Sequence, residues 1–148
     1  MKIRNSAKAI LIHEKKLLVA TYEDEEGIYH LLPGGGQKIG ETLHETLKRE
    51  CLEEAGIKIE IDDLLFVREC FMDPKVHRVE FMYSCVLSSF KKESNLNSLD
   101  LDNKQVGVSW IPVDELLKQP LFPIEMRKLI KEFSEDNKKN TVYLGEIE

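Results

Sequence analysis

The stretch Pro33–Ile57, "PGGGQKIGETLHETLKRECLEEAGI", decides the fold because it joins a glycine-rich loop to a strongly predicted helix. Its segment "TLHE" fits a capping box, in which the Thr42 hydroxyl accepts the Glu45 amide and the Glu45 carboxylate returns to the Thr42 amide. Gly56 tolerates the left-handed conformation that closes many helices. The sequence therefore predicts a helix that begins after Thr42 and ends at Gly56.

The spacing of residues predicts two faces for this helix. Apolar side chains recur every four residues and predict a buried stripe: Leu43, Leu47, Cys51 and Ala55. On another face Glu50, Glu53 and Glu54 stand at i, i+3 and i+4, so they are neighbours. A solvated glutamate-rich face needs no function, yet the helix macrodipole disfavours acids at this end. Carboxylates beside a glycine-rich loop favour a site for a hard divalent cation.

Length and charge limit the classes of protein to consider. With 148 residues, of which 42% are hydrophobic, the chain has the size of one domain, and we expect a single domain over residues 1–148. The formal net charge is −6, from 21 basic and 27 acidic side chains. Because no basic surface is apparent, no nucleic acid partner is expected.

The cysteines and the apolar runs indicate the compartment. Cys51, Cys70 and Cys85 are odd in number and widely spaced, which argues against a disulfide framework and against a zinc knuckle. The apolar run near the N-terminus covers only residues 9–12, too short for a signal-peptide core. No stretch approaches the ~20 apolar residues of a membrane span. We expect a cytoplasmic protein with no membrane partner.

Most of the remaining chain has the pattern of β-strands. Two short apolar runs at residues 6–12 and 16–22 predict a hairpin, and "IKIEI" at 57–61 alternates apolar and polar residues with a period of two. Further strands are predicted at residues 28–33, 64–72, 77–87 and 106–111. Residues 88–105 are polar and predict a surface loop, as a connector in preference to a lid.

The C-terminal part of the chain predicts two helices. Asp114 is placed to cap a short helix through "ELLK", and residues 123–133 predict a longer one. The longer segment carries an apolar stripe that we interpret as core: Met126, Leu129, Ile130 and Phe133. Trp110 is also expected in the core. The tail "NTVYLGEIE" is either disordered or a last strand.

Residues 35–57 resemble the Nudix box, G-x5-E-x7-R-E-U-x-E-E-x-G-U, where U is a bulky apolar residue. Every fixed position is filled: Gly35, Glu41, Arg49, Glu50, Glu53, Glu54 and Gly56, followed by Ile57. Cys51 stands where an aliphatic residue is usual and keeps an apolar side chain there. The segments "LPGG" and "WIPVDEL" extend the resemblance. It implies an α/β fold, an α/β/α sandwich around a mixed β-sheet.

The resemblance also implies an activity and a site. A Nudix pyrophosphohydrolase, an acid anhydride hydrolase, cleaves a nucleoside diphosphate linked to another moiety with the help of Mg²⁺, for which Mn²⁺ is the alternative. The expected metal ligands are Glu50, Glu53, Glu54 and the Gly34 carbonyl. Arg49 and Glu41 are expected to orient these carboxylates. Either Glu50 or Glu53 is the candidate general base.

Substrate contacts are expected from both sides of the glycine-rich loop. The expected substrate-binding residues are Gly35 and Gly36 with His30 or Tyr29, which stand where an aromatic residue is common in the family. Phe71, Phe81 and Tyr83 are strand residues that could stack on a nucleobase. The loop before Trp110 offers Asp100, Asp102 and Gln105, but no glutamate, for a further catalytic role.

Several alternatives stay open at the level of the sequence. The expected partner is a small nucleotide, and the competing enzymatic hypothesis is a house-cleaning pyrophosphatase for oxidised nucleoside triphosphates. ADP-sugars are another substrate class, whereas the acidic charge disfavours an RNA 5′ end. A non-catalytic nucleotide-sensing domain is disfavoured by the intact glutamate set. A homodimer is also left open.

Overall fold

The described part of the chain folds into eight strands, two α-helices and a short 3₁₀ helix. This computed structural model describes residues 1–90, 104–136 and 140–148. The strands are β1 (Lys2–His13), β2 (Lys16–Asp24), β3 (Gly27–Leu31), β4 (Gly34–Gly36), β5 (Ile57–Cys70), β6 (Val76–Phe90), β7 (Gln105–Pro112) and β8 (Val142–Glu146). The helices are α1 (Leu43–Ala55) and α2 (Glu125–Asp136), and the 3₁₀ helix covers Val113–Lys118.

The strands form one mixed sheet in the order β3-β2-β1-β6-β5-β8. Strand β4 pairs with the first half of β1, and β7 pairs with β2. The pairs β1–β6 and β5–β8 are parallel, whereas β5–β6 and the pairs made by β2 are antiparallel. Because β1 is paired with β4 on one side and β6 on the other, the glycine-rich loop is held beside the middle of the sheet.

Two apolar clusters cover the two faces of the sheet. Helix α1 closes one face, where Leu47 and Cys51 pack on strand side chains including Ala7, Ala9, Leu11, Leu18 and Tyr83. Helix α2 and the 3₁₀ helix close the other, where Met126, Ile130 and Leu116 pack on Ile10, Leu65, Phe66 and Met82. This arrangement confirms the predicted α/β/α sandwich. No helix among the described residues is long and apolar enough to cross a membrane.

The predicted helical faces agree with the structure. In α1, Leu47 and Cys51 are fully buried, and Leu43 and Ala55 pack partly buried against the same cluster. In α2, Met126 and Ile130 are fully buried, with Leu129 and Phe133 packed beside them. Trp110 packs at the edge of the α1 cluster and is only partly buried, because its ring also meets His13.

The two strands predicted at 57–61 and 64–72 are one strand, and the predicted break is wrong. The chain bulges between Ile61 and Leu64 without leaving the sheet, because β6 continues to pair on both sides of the bulge. There the Asp63 amide donates to Ser84 Oγ at 3.0 Å. An acidic pair that predicts a loop is thus accommodated as a bulge.

Two further expectations differ from the structure, and one alternative that the sequence left open is decided. The predicted loop at 88–105 is too long, because β6 extends to Phe90 and β7 begins at Gln105; residues 91–103 lie outside the described part of the chain. The 3₁₀ helix begins after Pro112 without a side-chain cap, so the predicted Asp114 cap is wrong. The tail forms β8, which pairs in parallel with residues 66–69 of β5.

Candidate active site

Local hydrogen bonds fix both ends of α1 and so fix the direction of its side chains. The Glu45 amide donates to Thr42 Oγ1 at 3.1 Å, and the Thr42 amide donates to Glu45 Oε1 at 3.1 Å. At the other end Gly56 has φ of 66° and its amide donates to the Leu52 carbonyl at 3.1 Å. The predicted capping box and glycine C-cap are confirmed.

The glycine-rich loop packs directly against the helix and β1, which explains why two of its positions are glycine. Gly34 has φ of 140°, and a Cβ there would lie 2.0 Å from the Ala7 carbonyl oxygen. A Cβ on Gly35 would lie 2.6 Å from the carboxyl carbon of Glu50. A side chain at Gly34 would collide with the backbone of β1, and one at Gly35 would displace the Glu50 carboxylate, which is in direct contact with the loop.

Arg49 links three carboxylates of the site. Its Nε and Nη2 donate to the two oxygens of Glu41 at 2.7 and 2.9 Å. Its Nη1 donates to Glu50 Oε1 at 2.8 Å and to Glu53 Oε2 at 3.4 Å. Nη2 also donates to the Gly36 carbonyl at 3.2 Å, so one guanidinium joins the helix face to the glycine-rich loop. Such forked bonds hold carboxylates in a defined geometry.

Glu41 is the anchor of this network. Besides Arg49, its Oε1 accepts the Lys38 amide and the Thr46 hydroxyl, each at 3.0 Å. The Arg49 and Lys38 hydrogen bonds lower the pKa of Glu41 to about 2. The Glu41 bond in turn raises the pKa of Arg49 above its usual range. Both groups are therefore charged near neutral pH, and their position agrees with the predicted orienting role.

Glu54 lies on the opposite side of the cluster and is 3% exposed. Burial, together with a hydrogen bond to Glu50, raises the pKa of Glu54 to about 8. The Gly34 amide donates to Glu54 Oε2 at 3.5 Å, and the charge of Lys8 opposes the rise. Burial and the neighbouring Glu50 carboxylate thus both favour the protonated form of Glu54.

The donor set fits a divalent cation. Glu50, Glu53 and Glu54 carry hard oxygen donors, and an added cation would favour the charged form of Glu54, which its burial disfavours. In the described residues no three His, Cys, Asp or Glu side chains converge as a ready-made metal site.

A cleft of about 640 Å³ opens on the other face of the sheet from α1. Its floor contains the buried pair Arg68–Glu80, in which Arg68 Nε donates to Glu80 Oε1 at 2.8 Å. Arg68 also donates to the carbonyl of Ile147, just beyond β8, at 2.7 Å. Apolar and aromatic side chains form the walls: Ile28, Tyr29, Leu31, Met72 and Phe122. The cleft thus combines flat apolar walls with a charged floor.

The predicted substrate residues fall into two groups. Tyr29 lines the cleft and stacks on Tyr22, with ring centroids 5.3 Å apart. The His30 ring is buried and its Nδ1 shares a hydrogen bond of 3.0 Å with Thr21 Oγ1; burial lowers its pKa. Gly36 reaches Arg49 through its carbonyl, as described above. The structure therefore brings Tyr29 to the cleft and places the His30 ring in the sheet.

The predicted base-stacking and loop residues are also dispersed. Phe81 and Tyr83 lie on the α1 face, where His44 meets Tyr83 edge-on at 5.0 Å. Phe71 is partly exposed and packs against His77. Gln105 is buried and its amide donates to the Gly107 carbonyl at 3.0 Å. Asp100 and Asp102 lie outside the described residues.

A comparison with protein families now identifies the arrangement. The family model described as the NUDIX domain matches residues 2–133. The chain belongs to the Nudix family. The predicted membership and the predicted enzyme class, a Nudix hydrolase, are therefore confirmed. Nudix hydrolases generally use divalent metal ions, in keeping with the donor set described above.

Individual relatives agree with the Nudix assignment. The chain is 27% identical over 120 residues to Nudix hydrolase 2 of Arabidopsis thaliana, a match that covers 75% of this chain and 39% of that protein. The chain thus spans well under half the length of this curated relative.

Solved Nudix structures share the fold. A NUDIX hydrolase from Nitrosomonas europaea has a TM-score of 0.73 at 21% identity, covering 99% of this chain and 80% of that one. A MutT NUDIX hydrolase from Burkholderia pseudomallei has a TM-score of 0.67 at 23% identity, covering 89% and 98%. An ADP-ribose pyrophosphatase from Streptococcus suis has a TM-score of 0.65 at 21% identity, covering 95% and 98%. At these identities the likeness establishes the fold alone.

Charged strand residues around the Nudix site were missed by the sequence analysis. Lys8 Nζ donates to the Leu32 carbonyl at 3.3 Å and its charge acts on both Glu54 and Glu80. Arg68, Arg78 and Glu80 line the cleft. The available signal was a set of charged residues inside otherwise apolar strand segments, which would be costly to bury without a purpose.

Proposed function

We propose that the chain is a Mg²⁺-dependent pyrophosphohydrolase that cleaves the diphosphate of a nucleoside diphosphate linked to a small moiety. The observation that carries the proposal is the buried Glu54 beside Glu50, a carboxylate pair short of positive charge next to a backbone loop without side chains. Two structures with this fold are described as an ADP-ribose pyrophosphatase and a UDP-X diphosphatase. Those descriptions agree with the proposed chemistry.

The metal ligands in this proposal are Glu50, Glu53, Glu54 and the Gly34 carbonyl, as the sequence predicts. Bound Mg²⁺ would neutralise phosphate oxygens and make water more acidic. Mn²⁺ has similar ligand preferences and is the expected substitute. The Arg49–Glu41 pair keeps Glu50 and Glu53 on the side of the helix that faces the glycine-rich loop.

Glu53 is our candidate for the group that accepts a proton from the attacking water. Glu50 is committed to Arg49 at 2.8 Å and to Glu54, whereas Glu53 has one long contact with Arg49, at 3.4 Å. The Glu53 side chain is also 34% exposed, against 17% for Glu50. A base needs access to water and a free lone pair, and Glu53 has more of both.

The nucleoside part of the substrate is proposed to lie in the cleft. Tyr29 and Phe122 offer flat surfaces to a base, and the polar floor can bond to its edge or to ribose hydroxyls. The alternative enzyme, a house-cleaning pyrophosphatase for oxidised nucleoside triphosphates, would use the same carboxylates and the same cleft. A purely sensing domain would have no use for a water-activating set of carboxylates, which is why we keep it as the minor alternative.

An isotope experiment tests the position of attack. The purified chain is incubated with Mg²⁺ in ¹⁸O-labelled water with ADP-ribose and, separately, with a deoxynucleoside triphosphate. We expect a nucleoside monophosphate as product and label on one phosphorus of the former diphosphate, because the nucleophile is water and no side chain at the site is a free nucleophile: Cys51 is buried and its pKa is raised by burial. Preferred hydrolysis of a simple phosphomonoester, or a trapped phospho-enzyme, would refute the proposal.

The cellular setting is part of the same proposal. Cys51, Cys70 and Cys85 are all unpaired and buried, which supports a reducing compartment, and we propose the cytoplasm. A single functional domain over residues 1–148 is likewise proposed, and the sheet supports it because the tail strand β8 is integrated beside β5. A homodimer remains a proposal that sedimentation would test.

A further inference from the structure

A second pocket, of about 550 Å³, lies beside the glycine-rich loop, on the side of Gly36–Ile39. Its charged lining residues are all cationic: Arg4 from β1, Lys38 from the loop and Arg78 from β6. We call it the cationic pocket. The whole chain has a net charge of −6, so a pocket with three positive and no negative side chains in its lining is a local exception.

The register of the sheet makes this charge arrangement costly. Arg4 and Arg78 are paired positions of the parallel strands β1 and β6, so their side chains leave the same face of the sheet. Like charges at paired positions repel each other. Arg78 Nη1 donates to the Ser6 hydroxyl at 2.7 Å, a neutral partner. Among the described residues, Arg4, Lys38 and Arg78 have no carboxylate within 4.0 Å.

The pocket is connected to both parts of the candidate active site. Gly36, one of its lining residues, accepts a hydrogen bond from the Arg49 guanidinium. The same guanidinium donates to Glu50 and Glu53. Arg78 and Val76 line the cationic pocket and the cleft together. The cleft differs from the cationic pocket in charge, because its lining includes four further acids: Asp24, Glu26, Asp73 and Glu148. A ligand that spans both would meet acids at one end and cations at the other.

We infer that the cationic pocket binds a phosphoryl group next to the diphosphate that is cleaved, so that the preferred substrates carry at least three phosphates in a row. This inference rests on the proposed function and narrows its substrate class. Guanidinium groups bind phosphate oxygens with forked hydrogen bonds, and a phosphate would relieve the repulsion between Arg4 and Arg78. A neutral second moiety, such as the terminal ribose of ADP-ribose, would leave Arg4 and Lys38 without an anionic partner among the described residues, and Arg78 with the charge of Glu80 alone.

The third phosphate has two chemical sources that the test separates. It is the terminal phosphate of a nucleoside triphosphate or the internal third phosphate of a dinucleoside triphosphate. We would measure kcat/KM with Mg²⁺ for ATP, diadenosine triphosphate and ADP-ribose, using wild type, Arg4→Gln and Arg78→Gln. Lys58→Gln is the matched control, because Lys58 is an exposed cation on β5 outside both pockets.

The expected result is a selective loss. Arg4→Gln and Arg78→Gln should each lower kcat/KM for the triphosphates by about tenfold, the loss of one charge-assisted phosphate contact, while ADP-ribose changes by less than about twofold. Activity on ATP alone identifies a terminal phosphate, and activity on diadenosine triphosphate identifies an internal one. Arg4 is exposed, so Arg4→Gln keeps the test valid if Arg78→Gln unfolds the chain.

A binding measurement separates this inference from the proposed function. Calorimetric titration with inorganic tripolyphosphate in EDTA should show binding to wild type and to Lys58→Gln, and about tenfold weaker binding to Arg4→Gln. Equal losses on all three nucleotides, or equal tripolyphosphate binding by all variants, would overturn the cationic pocket as a phosphate subsite. Absence of hydrolysis of every nucleotide would instead refute the proposed function, while the titration would still decide on the pocket.

Discussion

Two buried glutamates on opposite sides of the sheet have opposite electrostatic surroundings. Glu54 on α1 is 3% exposed and Glu80 on β6 is 7% exposed. Burial acts to raise the pKa of both. For Glu54 the neighbouring Glu50 adds to this effect, and its pKa rises to about 8. For Glu80 the charges of Lys8, Arg68 and Arg78 outweigh burial, and its pKa is lowered.

The comparison shows that burial alone does not determine what a carboxylate does. Glu80 has its counter-ion inside the protein, because its carboxylate forms a salt bridge with Arg68 in the cleft floor. Glu54 has no guanidinium partner, because Arg49 on the same helix binds Glu41, Glu50 and Glu53. On the helix side burial and Glu50 outweigh the charge of Lys8, whereas on the sheet side the neighbouring cations outweigh burial.

Removal of divalent metal should have the largest effect on activity. If it had no effect, the contrast between the Glu54 side and the Glu80 side would not hold. With EDTA we expect nucleotide hydrolysis to fall by about 10³-fold or more, because the charge of Lys8, which acts on Glu54 from within the described part of the chain, does not outweigh the burial of that carboxylate. Added Mg²⁺ or Mn²⁺ should restore it. Mg²⁺ should also raise the thermal midpoint of the wild type, since it binds the folded state. Full activity in chelator would mean that the helix carboxylates do not hold a catalytic ion.

On the sheet side, Glu80→Gln should destabilise the fold by about 3 kcal/mol. The substitution leaves the buried Arg68 guanidinium without its carboxylate, and breaking one partner of a buried pair is costly. Urea unfolding measures the loss. The double variant Arg68→Met with Glu80→Leu should recover most of it, because neither charge is then buried alone. If the single and the double variant lost the same free energy of unfolding, the packing of the Glu80 side chain and not its charge would explain its role.

On the helix side, Glu53→Gln should lower kcat by about 10²-fold with little change in thermal midpoint. Glu53 is partly exposed and makes one long ion pair, so the fold does not depend on it. Glu60→Gln is the matched control, since Glu60 is an exposed strand glutamate. Unchanged kinetics in Glu53→Gln would move the proton acceptor to another residue.

The smallest expected effect is the pH dependence of the Glu80 contribution. Because the folded pKa of Glu80 lies below its unfolded value, its stabilising charge is fully present above an unfolded pKa of about 4.3 and is lost as the pH falls through the folded pKa. The difference in unfolding free energy between wild type and Glu80→Gln should therefore narrow from about pH 7 to about pH 3. A constant difference over this range would show that folding does not lower the pKa of Glu80.

The contrast between Glu54 on the helix and Glu80 in the sheet also shows which features of the structure the sequence predicts. The limits of α1, its buried stripe and the grouping of Glu50, Glu53 and Glu54 are local properties of one helix, so residue spacing is sufficient. The Arg68–Glu80 pair joins residues of two strands, and its formation depends on the antiparallel register of β5 and β6. Residue spacing within either strand carries no information on that register across the turn between Cys70 and Val76.

Dependence on strand pairing also explains the other features that the sequence does not predict. The facing positions of Arg4 and Arg78 follow from the parallel pairing of β1 with β6, strands that are far apart in the chain. The tail could be read as a strand or as disordered, because its partner β5 lies more than half the chain away. His30 occupies a position that the Nudix resemblance assigns to substrate contact, yet its ring turns towards Thr21 through the alternation of side chains along β3.

The two caps of α1 make the number of residues between Thr42 and Gly56 as important as their identity. The helix has 13 residues, and its first and last turns are each fixed by hydrogen bonds. Each residue of an α-helix advances the side-chain direction by about 100°. A single insertion or deletion between Glu50 and Glu53 would rotate Glu53 and Glu54 away from Glu50 even if every carboxylate were kept. We therefore expect this helix to tolerate many exchanges on its exposed face during evolution, and no change in length.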